Sequence, residues 1–436
     1  MQVRQIGGLM ADVQVRPTHA NSGRLRVLIA LELGGNLGHL ARCLPLARKL
    51  REQGHTVLFA VPDSRTAGQM LVQHGIAFVE SPRITVAQRT ARPPVNYADM
   101  LLREGYRDTV ALQGAVQSWL NLFRLFQPDR IIADHAPTAL LAARIAQLPA
   151  AALGSGFEIP PQSTPLPSMR PWDDVPTAQL AEADDGLLRT INTVLKVRRQ
   201  PLMQSVAELF GSVRRILATF PELDHYGQRP GEHYAGVFYE PKAGEGASTV
   251  AWPEGQGARV LVYMRPEMRG FAPLLKALKA SNHRVIFVAP GTHPSHVARF
   301  SAPHLHFSHQ AVAFASLLPE ADLAIGYGSI GFTTQTLRAG LPQLILPAFV
   351  EQQLCATRIM DMGAGLSLKA PWDEAGCRKA MEMILSDPAF DKAADAFSET
   401  YRNYGAGAEM ERIVALIHSA KPYMTPEALA SVNSHR

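Results

Sequence analysis

The chain has 436 residues, 47% hydrophobic and 19% charged, a globular composition with room for two to three domains, each with its own core. The net charge of +5 comes without a dense Lys/Arg block, which argues against a nucleic-acid groove while permitting contact with acidic ligands or a membrane surface. Three cysteines (Cys43, Cys355, Cys377) without metal-type spacing point to a reducing, cytoplasmic setting, and no run of about 18 apolar residues marks a membrane span.

Residues 1–23 lack the apolar stretch of a signal peptide and read as a poorly ordered leader, with Met10 an alternative start. Order is expected from Leu25. "LRVLIALEL" is an apolar strand, "GGNLGH" a tight turn, "LARCLPLARKLREQG" an amphipathic helix and "HTVLFAVPD" the next strand, the pattern of a parallel sheet. A helical stretch through Trp119 and Phe126 leads to strand "RIIADH", helix "PTALLAARIAQL" and strand "PAAALGS". The proline-rich segment 157–176 reads as a surface loop, and a long helical region and strand "RRILATF" follow. A second alternating series begins at "ARVLVYM" and runs through "HRVIFVAP", "HLHFS", "DLAIGYG" and "PQLILPA". The expected fold is α/β, two doubly wound Rossmann-like domains facing a cleft. The boundaries are 24–225, a linker at 226–257, 258–400, and a helix crossing back with a tail at 401–436.

In such sheets ligands bind beyond the carboxyl ends of the strands. After "DLAI", Gly326, Gly328 and Gly331 allow close backbone approach, and "FTTQTLRAG" opens a helix whose first amides lack intrahelical partners. Those amides and the positive helix end suit a diphosphate, with hydroxyls from Thr333 and Thr334 in reach. A turn that serves only strand–helix packing fits the glycines equally well. His293, His296, His304, His306 and His309 lie close in sequence, but no cysteine or clustered carboxylate accompanies them, and no metal site is expected.

Two longer stretches carry a resemblance. "AGLPQLILPAFVEQQLCATRIMDMGAG" and "GGNLGHLARCLPLARKLREQGHTVLFA" resemble the donor signature and the opening motif of the UDP-glycosyltransferase-like (GT-B, family 1) enzymes, closest to bacterial members with a "VYMRP"-like strand. Ala339, Gly340, Pro342, Pro347, Gln352, Gly363 and Gly365 match, and Glu351 stands for the usual aspartate. The resemblance implies that Glu351 and Gln352 grip sugar hydroxyls. It places Tyr327 on a phosphate-binding histidine, Ser329 on a glycine, Phe332 on a threonine and Gln335 on a ribose-binding glutamate. It also implies that Phe307 stacks on the nucleobase with His309 and Gln310 at its edge, while Arg265 reaches the diphosphate. By the same resemblance His39 is the general base and Asp134 its orienting partner, although Asp134 equally suits a helix cap and His135 is a neighbouring competitor. Gly38 and Phe157 fall on the acceptor side.

The implied activity is an inverting, metal-independent transfer from a nucleoside-diphosphate sugar, a co-substrate needing no cofactor, to a hydroxyl of a small or lipid-like acceptor. Tyr327, Phe332 and Gln335 keep open a partner protein that has lost donor binding. A nucleotide-binding oxidoreductase is disfavoured, because "GGNLGH" is not G-x-G-x-x-G and Asp63 lies too far along. Epimerisation on the same fold stays open. Peripheral membrane contact and oligomeric state are likewise open.

Overall fold

The computed structural model describes residues 23–34, 37–85, 92–238 and 250–423, so nearly all of the expected leader lies outside it, as do parts of the expected linker and tail. The first unit contains strands β1 (Arg26–Leu31), β2 (Thr56–Val61), β3 (Ala77–Glu80), β4 (Arg130–Asp134), β5 (Ala150–Gly154), β6 (Arg214–Leu217) and β7 (His233–Tyr234). Helices α1 (Leu37–Glu52), α2 (Ser64–Gln73), α3 (Tyr97–Leu101), α4 (Thr109–Phe126), α5 (Pro137–Ile145), α6 (Thr177–Val197) and α7 (Glu208–Gly211) cover its faces. All strand pairs are parallel, in the order β3-β2-β1-β4-β5-β6-β7.

The second unit has β8 (Arg259–Tyr263), β9 (Arg284–Val288), β10 (Leu305–Ser308), β11 (Leu323–Gly326), β12 (Gln343–Ile345) and β13 (Gly365–Ser367). They too are parallel, ordered β10-β9-β8-β11-β12-β13. Around them lie α8 (Phe271–Lys279), α9 (Val297–Phe300), α10 (Ile330–Arg338), α11 (Val350–Asp361), α12 (Glu374–Ser386) and α13 (Pro388–Thr400).

Because side chains alternate along a strand, each apolar run feeds two cores. Leu28 and Ala30 of β1 join the layer containing Trp119 and Phe123, while Val27, Ile29 and Leu31 join α1. In both sheets the strand order reverses beside the first strand, between β1 and β4 and between β8 and β11. At such a reversal neighbouring connections leave to opposite faces, and a crevice opens.

Two departures from the sequence expectation follow from packing. The segment 157–176 is irregular but not superficial: Phe157, Glu158 and Ile159 are buried, as are Leu166 and Met169. The expected linker supplies β7, paired with β6 through Ile216↔His233, and Arg229, which pairs with the buried Asp224 at 2.7 Å. The last helix, α14 (Ala406–His418), lies on α1, β4 and β6 of the first unit. Arg130 Nε donates to the Ile417 carbonyl there, and Lys49 pairs with Glu411. Between the units, Phe220 and Leu223 pack with Ile330, Cys355 and Phe397, and Tyr401 lies 4.2 Å from the Phe220 ring. No helix among the described residues is long and apolar enough to cross a membrane.

Candidate active site

The first turn of α1 and the end of β4 bring His39 and Asp134 together, although they are 95 residues apart. His39 Nδ1 lies 2.8 Å from Asp134 Oδ1. A carboxylate only accepts, so Nδ1 carries the hydrogen and Nε2 keeps its lone pair. The alternative role of Asp134 as a helix cap is not realised: Ala136 holds the cap position of α5, without a side-chain bond.

Two groups that the sequence reading passed over complete the cluster. Arg42, one turn beyond His39 on α1, donates through Nε to Asp134 Oδ2 at 2.9 Å and through Nη2 to Oδ1. The same Nη2 donates to Glu158 Oε1 at 3.0 Å. Glu158 Oε2 takes hydrogens from the Ser155 amide at 2.6 Å and hydroxyl at 2.7 Å. Arg42, Asp134 and Glu158 are all buried. The i, i+3 spacing of His39 and Arg42 on one helix face is visible in the sequence; Glu158 sits in an irregular segment with no periodicity to announce it.

Burial disfavours charge on all four groups, and their mutual attraction opposes it. Arg42 and His39 hold the Asp134 carboxyl below its usual range, and with His135 and Ser155 they hold Glu158 well below. For His39, burial pulls downward, but the charge and hydrogen bond of Asp134 outweigh it and raise the imidazole above its ordinary value. His135 is different: burial pushes it down to about 4, so it stays neutral at pH 7. His39, Asp134 and Glu158 offer atoms within 4.8 Å of one another, a spacing a divalent ion could use. The Arg42 guanidinium already sits on those carboxylates and supplies the positive charge.

Space beside the imidazole depends on glycine. Gly34 has φ +85°, and a Cβ there would stand 2.5 Å from His39 Nε2. A cavity of about 250 Å³ borders His39, lined also by Leu31, Leu40, Val61, Pro62 and Arg83. Gly38 is exposed at the start of α1, and the buried Phe157 ring packs against His135 at 6.2 Å.

In the second unit, Ser329 caps α10 through extended backbone, and the first intrahelical bond is donated by Thr333 to Ser329. The amides of Ile330, Gly331 and Phe332 therefore lack intrahelical acceptors at the end of β11. Gly328 has φ +85°, and a Cβ there would lie 2.8 Å from the Gln352 carbonyl oxygen and 3.2 Å from Ile345. Gly328→Ala is expected to destabilise the protein by about 1–3 kcal/mol, measured by urea unfolding.

Several expected donor contacts are corrected by packing. Phe332 is buried among Phe314 and Tyr263 and cannot face a phosphate. Thr333 is buried with its hydroxyl at Cys355, so only its backbone belongs to the turn. Phe307 is stacked on Phe287 at 5.3 Å and enclosed by Phe271 and Phe300, which leaves no free face for a base. Hydrophobic core formation takes these aromatics because β10 and α10 each turn that face inward. Tyr327 is buried with its ring 5.9 Å from that of Tyr263.

The remaining expected residues stay near the strand ends. Gln335 and His309 are half-buried, Gln310 is exposed, and Arg265 lies beyond β8 with Glu267 3.8 Å away. Gln352 is buried and its side-chain oxygen accepts from the Ala348 amide at 2.8 Å, which leaves its amide nitrogen to donate. Glu351 lies in the first turn of α11, where burial and the Glu158 carboxylate raise its carboxyl above the usual range, against the pull of His225, His39 and Arg42. Through these charges Glu351 of the second unit is coupled to the His39 cluster of the first.

Residues 273–414 match the family described as erythromycin biosynthesis protein CIII-like, C-terminal domain. The solved structure of the glycotransferase of kitacinnamycin superposes with a TM-score of 0.68 at 16% identity, over 91% of this chain and 100% of that one. The chain has the GT-B fold. A second GT-B neighbour, the spinosyn rhamnosyltransferase SpnG complexed with thymidine diphosphate, has a TM-score of 0.62 at 20% identity, covering 90% of this chain and 100% of its own. Among curated relatives, elloramycin glycosyltransferase ElmGT of Streptomyces olivaceus is 32% identical over 106 residues, 24% of this chain and 26% of that protein. The sterol 3-beta-glucosyltransferase of Candida albicans is 49% identical over 53 residues, 12% of this chain and 4% of that protein. The match thus spans about a quarter of the length of the first relative and far less of the second. The family match lies at 273–414, and the likeness over the whole chain is one of fold.

Proposed function

We propose that the protein transfers a sugar from a nucleoside-diphosphate donor to an acceptor hydroxyl, with inversion at the anomeric carbon and without a metal ion. The observation that carries this reading is the His39–Asp134 pair at the end of β4, with Glu351 of the second unit in electrostatic reach of it. The acceptor O–H gives its proton to His39 Nε2 while its oxygen bonds to the anomeric carbon. The bond from that carbon to the diphosphate oxygen breaks, and the nucleoside diphosphate departs. Asp134 stabilises the imidazolium. The amides of Ile330, Gly331 and Phe332, with the positive end of α10, stabilise charge on the leaving group. Glu351 and the Gln352 amide hold sugar hydroxyls, and Gln335, His309, Gln310 and Arg265 border the nucleotide. Closure of the two units would exclude water, which competes with the acceptor.

The relatives' names support sugar transfer, and the SpnG and VinC complexes with thymidine diphosphate support a nucleotide in the cleft. The SpnG complex with spinosyn aglycone supports an acceptor bound to the same fold. A non-catalytic partner protein is the second reading, favoured by the burial of the Phe332, Thr333 and Phe307 side chains. Calorimetric titration separates them. Saturable binding of dTDP or UDP is expected, with dissociation constants in the micromolar range, roughly −8 kcal/mol. No heat with either nucleotide would remove the transferase reading.

A further inference from the structure

We propose that Glu158 is a positioning residue whose carboxylate supplies the counter-charge for the proton His39 accepts, while Arg42 joins it to Asp134. The inference rests on the transferase reading for its kinetic consequence, but the charge balance can be measured on His39 itself.

Asp134 is shared. Its Oδ1 takes hydrogens from both His39 and Arg42, and its Oδ2 takes one from Arg42 and one from the Cys43 thiol at 3.2 Å. Asp134 and Arg42 alone would form a neutral pair, and an imidazolium beside it would have no uncompensated partner in a buried site. Glu158 changes the sum. Its Oε1 lies 3.0 Å from Arg42 Nη2 and 3.8 Å from His39 Nδ1. The set Asp134, Glu158 and Arg42 therefore carries one net negative charge, and a proton on His39 brings the buried cluster to neutrality. Glu158 is held for this by the Ser155 amide and hydroxyl, which occupy its other oxygen.

The other ionisable groups around His39 do not fill this role. Cys43 stays a thiol, because burial and Asp134 push it well upward, and His135 is neutral. Glu351 belongs to the opposite unit, and the carboxylate of Glu158 helps keep its own carboxyl protonated to higher pH. Glu158 is thus the negative group on the His39 side that Asp134 does not account for.

The test is a histidine NMR titration of His39 in the full-length protein, joined to the pH profile of kcat/KM. In Glu158→Gln the His39 midpoint is expected to fall by about one pH unit, the acid limb of the profile moving with it, and kcat to drop about tenfold or more. Glu158→Asp, which keeps the charge, should leave the midpoint near wild type even if kcat falls. Arg42→Gln/Glu158→Gln removes one charge of each sign and should restore the midpoint; it also serves if the single variant does not fold. A midpoint unmoved by Glu158→Gln, or moved equally by Glu158→Asp, would overturn the proposal. If the NMR midpoint shifts as expected but no donor supports turnover, the charge assignment stands and the transferase reading fails.

Discussion

His39→Ala is expected to lower transfer by about 10²–10⁴-fold while leaving nucleotide affinity within about twofold. The imidazole is the group whose lone pair is fixed by a carboxylate, through the 2.8 Å bond from Nδ1 to Asp134, so its loss removes the acceptor's proton sink. The donor turn lies in the other unit, and its amides are untouched. The measurement pairs a coupled assay of nucleoside-diphosphate release with calorimetry of the same variant. Wild-type turnover in His39→Ala would show that another group takes the proton. Asp134→Asn should fall by a similar factor with less loss of affinity for acceptor, because an amide can present its nitrogen to Nδ1 and select the wrong tautomer.

Arg42→Ala should have the largest effect on stability, a loss of about 3–5 kcal/mol at pH 7 in urea unfolding. Both carboxylates that Arg42 joins are buried, and the substitution leaves their charge without its main counter-ion. The sign of the pH dependence follows from their depressed folded-state values. The stability these groups contribute is present above the unfolded carboxylate range of about 4 and is lost as pH falls through the lower folded values. In Arg42→Ala the folded values rise, so the deficit relative to wild type is largest near neutrality and shrinks below about pH 4. A deficit that did not change with pH would assign the cost to lost packing of the arginine stem instead.

The two parallel units were legible because apolar strands of five or six residues alternate with helix-length amphipathic runs, a local pattern that requires no long-range information. The His39 and Asp134 positions were legible through the motif resemblance, one just after the first strand and one at the end of the fourth, on the rim where such sheets bind ligands. Glu158 had no such marker. It follows a strand by a few residues in a proline-rich segment, and only the burial of that segment in the first unit's core sets it on Arg42. Phe307, Phe332 and Thr333 erred in the opposite direction. Each sits beside a strand end or helix start, and composition cannot tell which face the pleat or the helix turns inward.

From the sequence alone came the two-sheet architecture and the glycine turn before α10, because periodicity and backbone freedom are local properties, and, through the motif resemblance, the residue types for proton transfer. Tertiary structure decided which aromatics became core, why Gly328 must lack a side chain against Gln352, and that a buried arginine balances two carboxylates around His39. Those outcomes depend on atoms distant in the chain meeting at low dielectric, where charge and volume must be satisfied together.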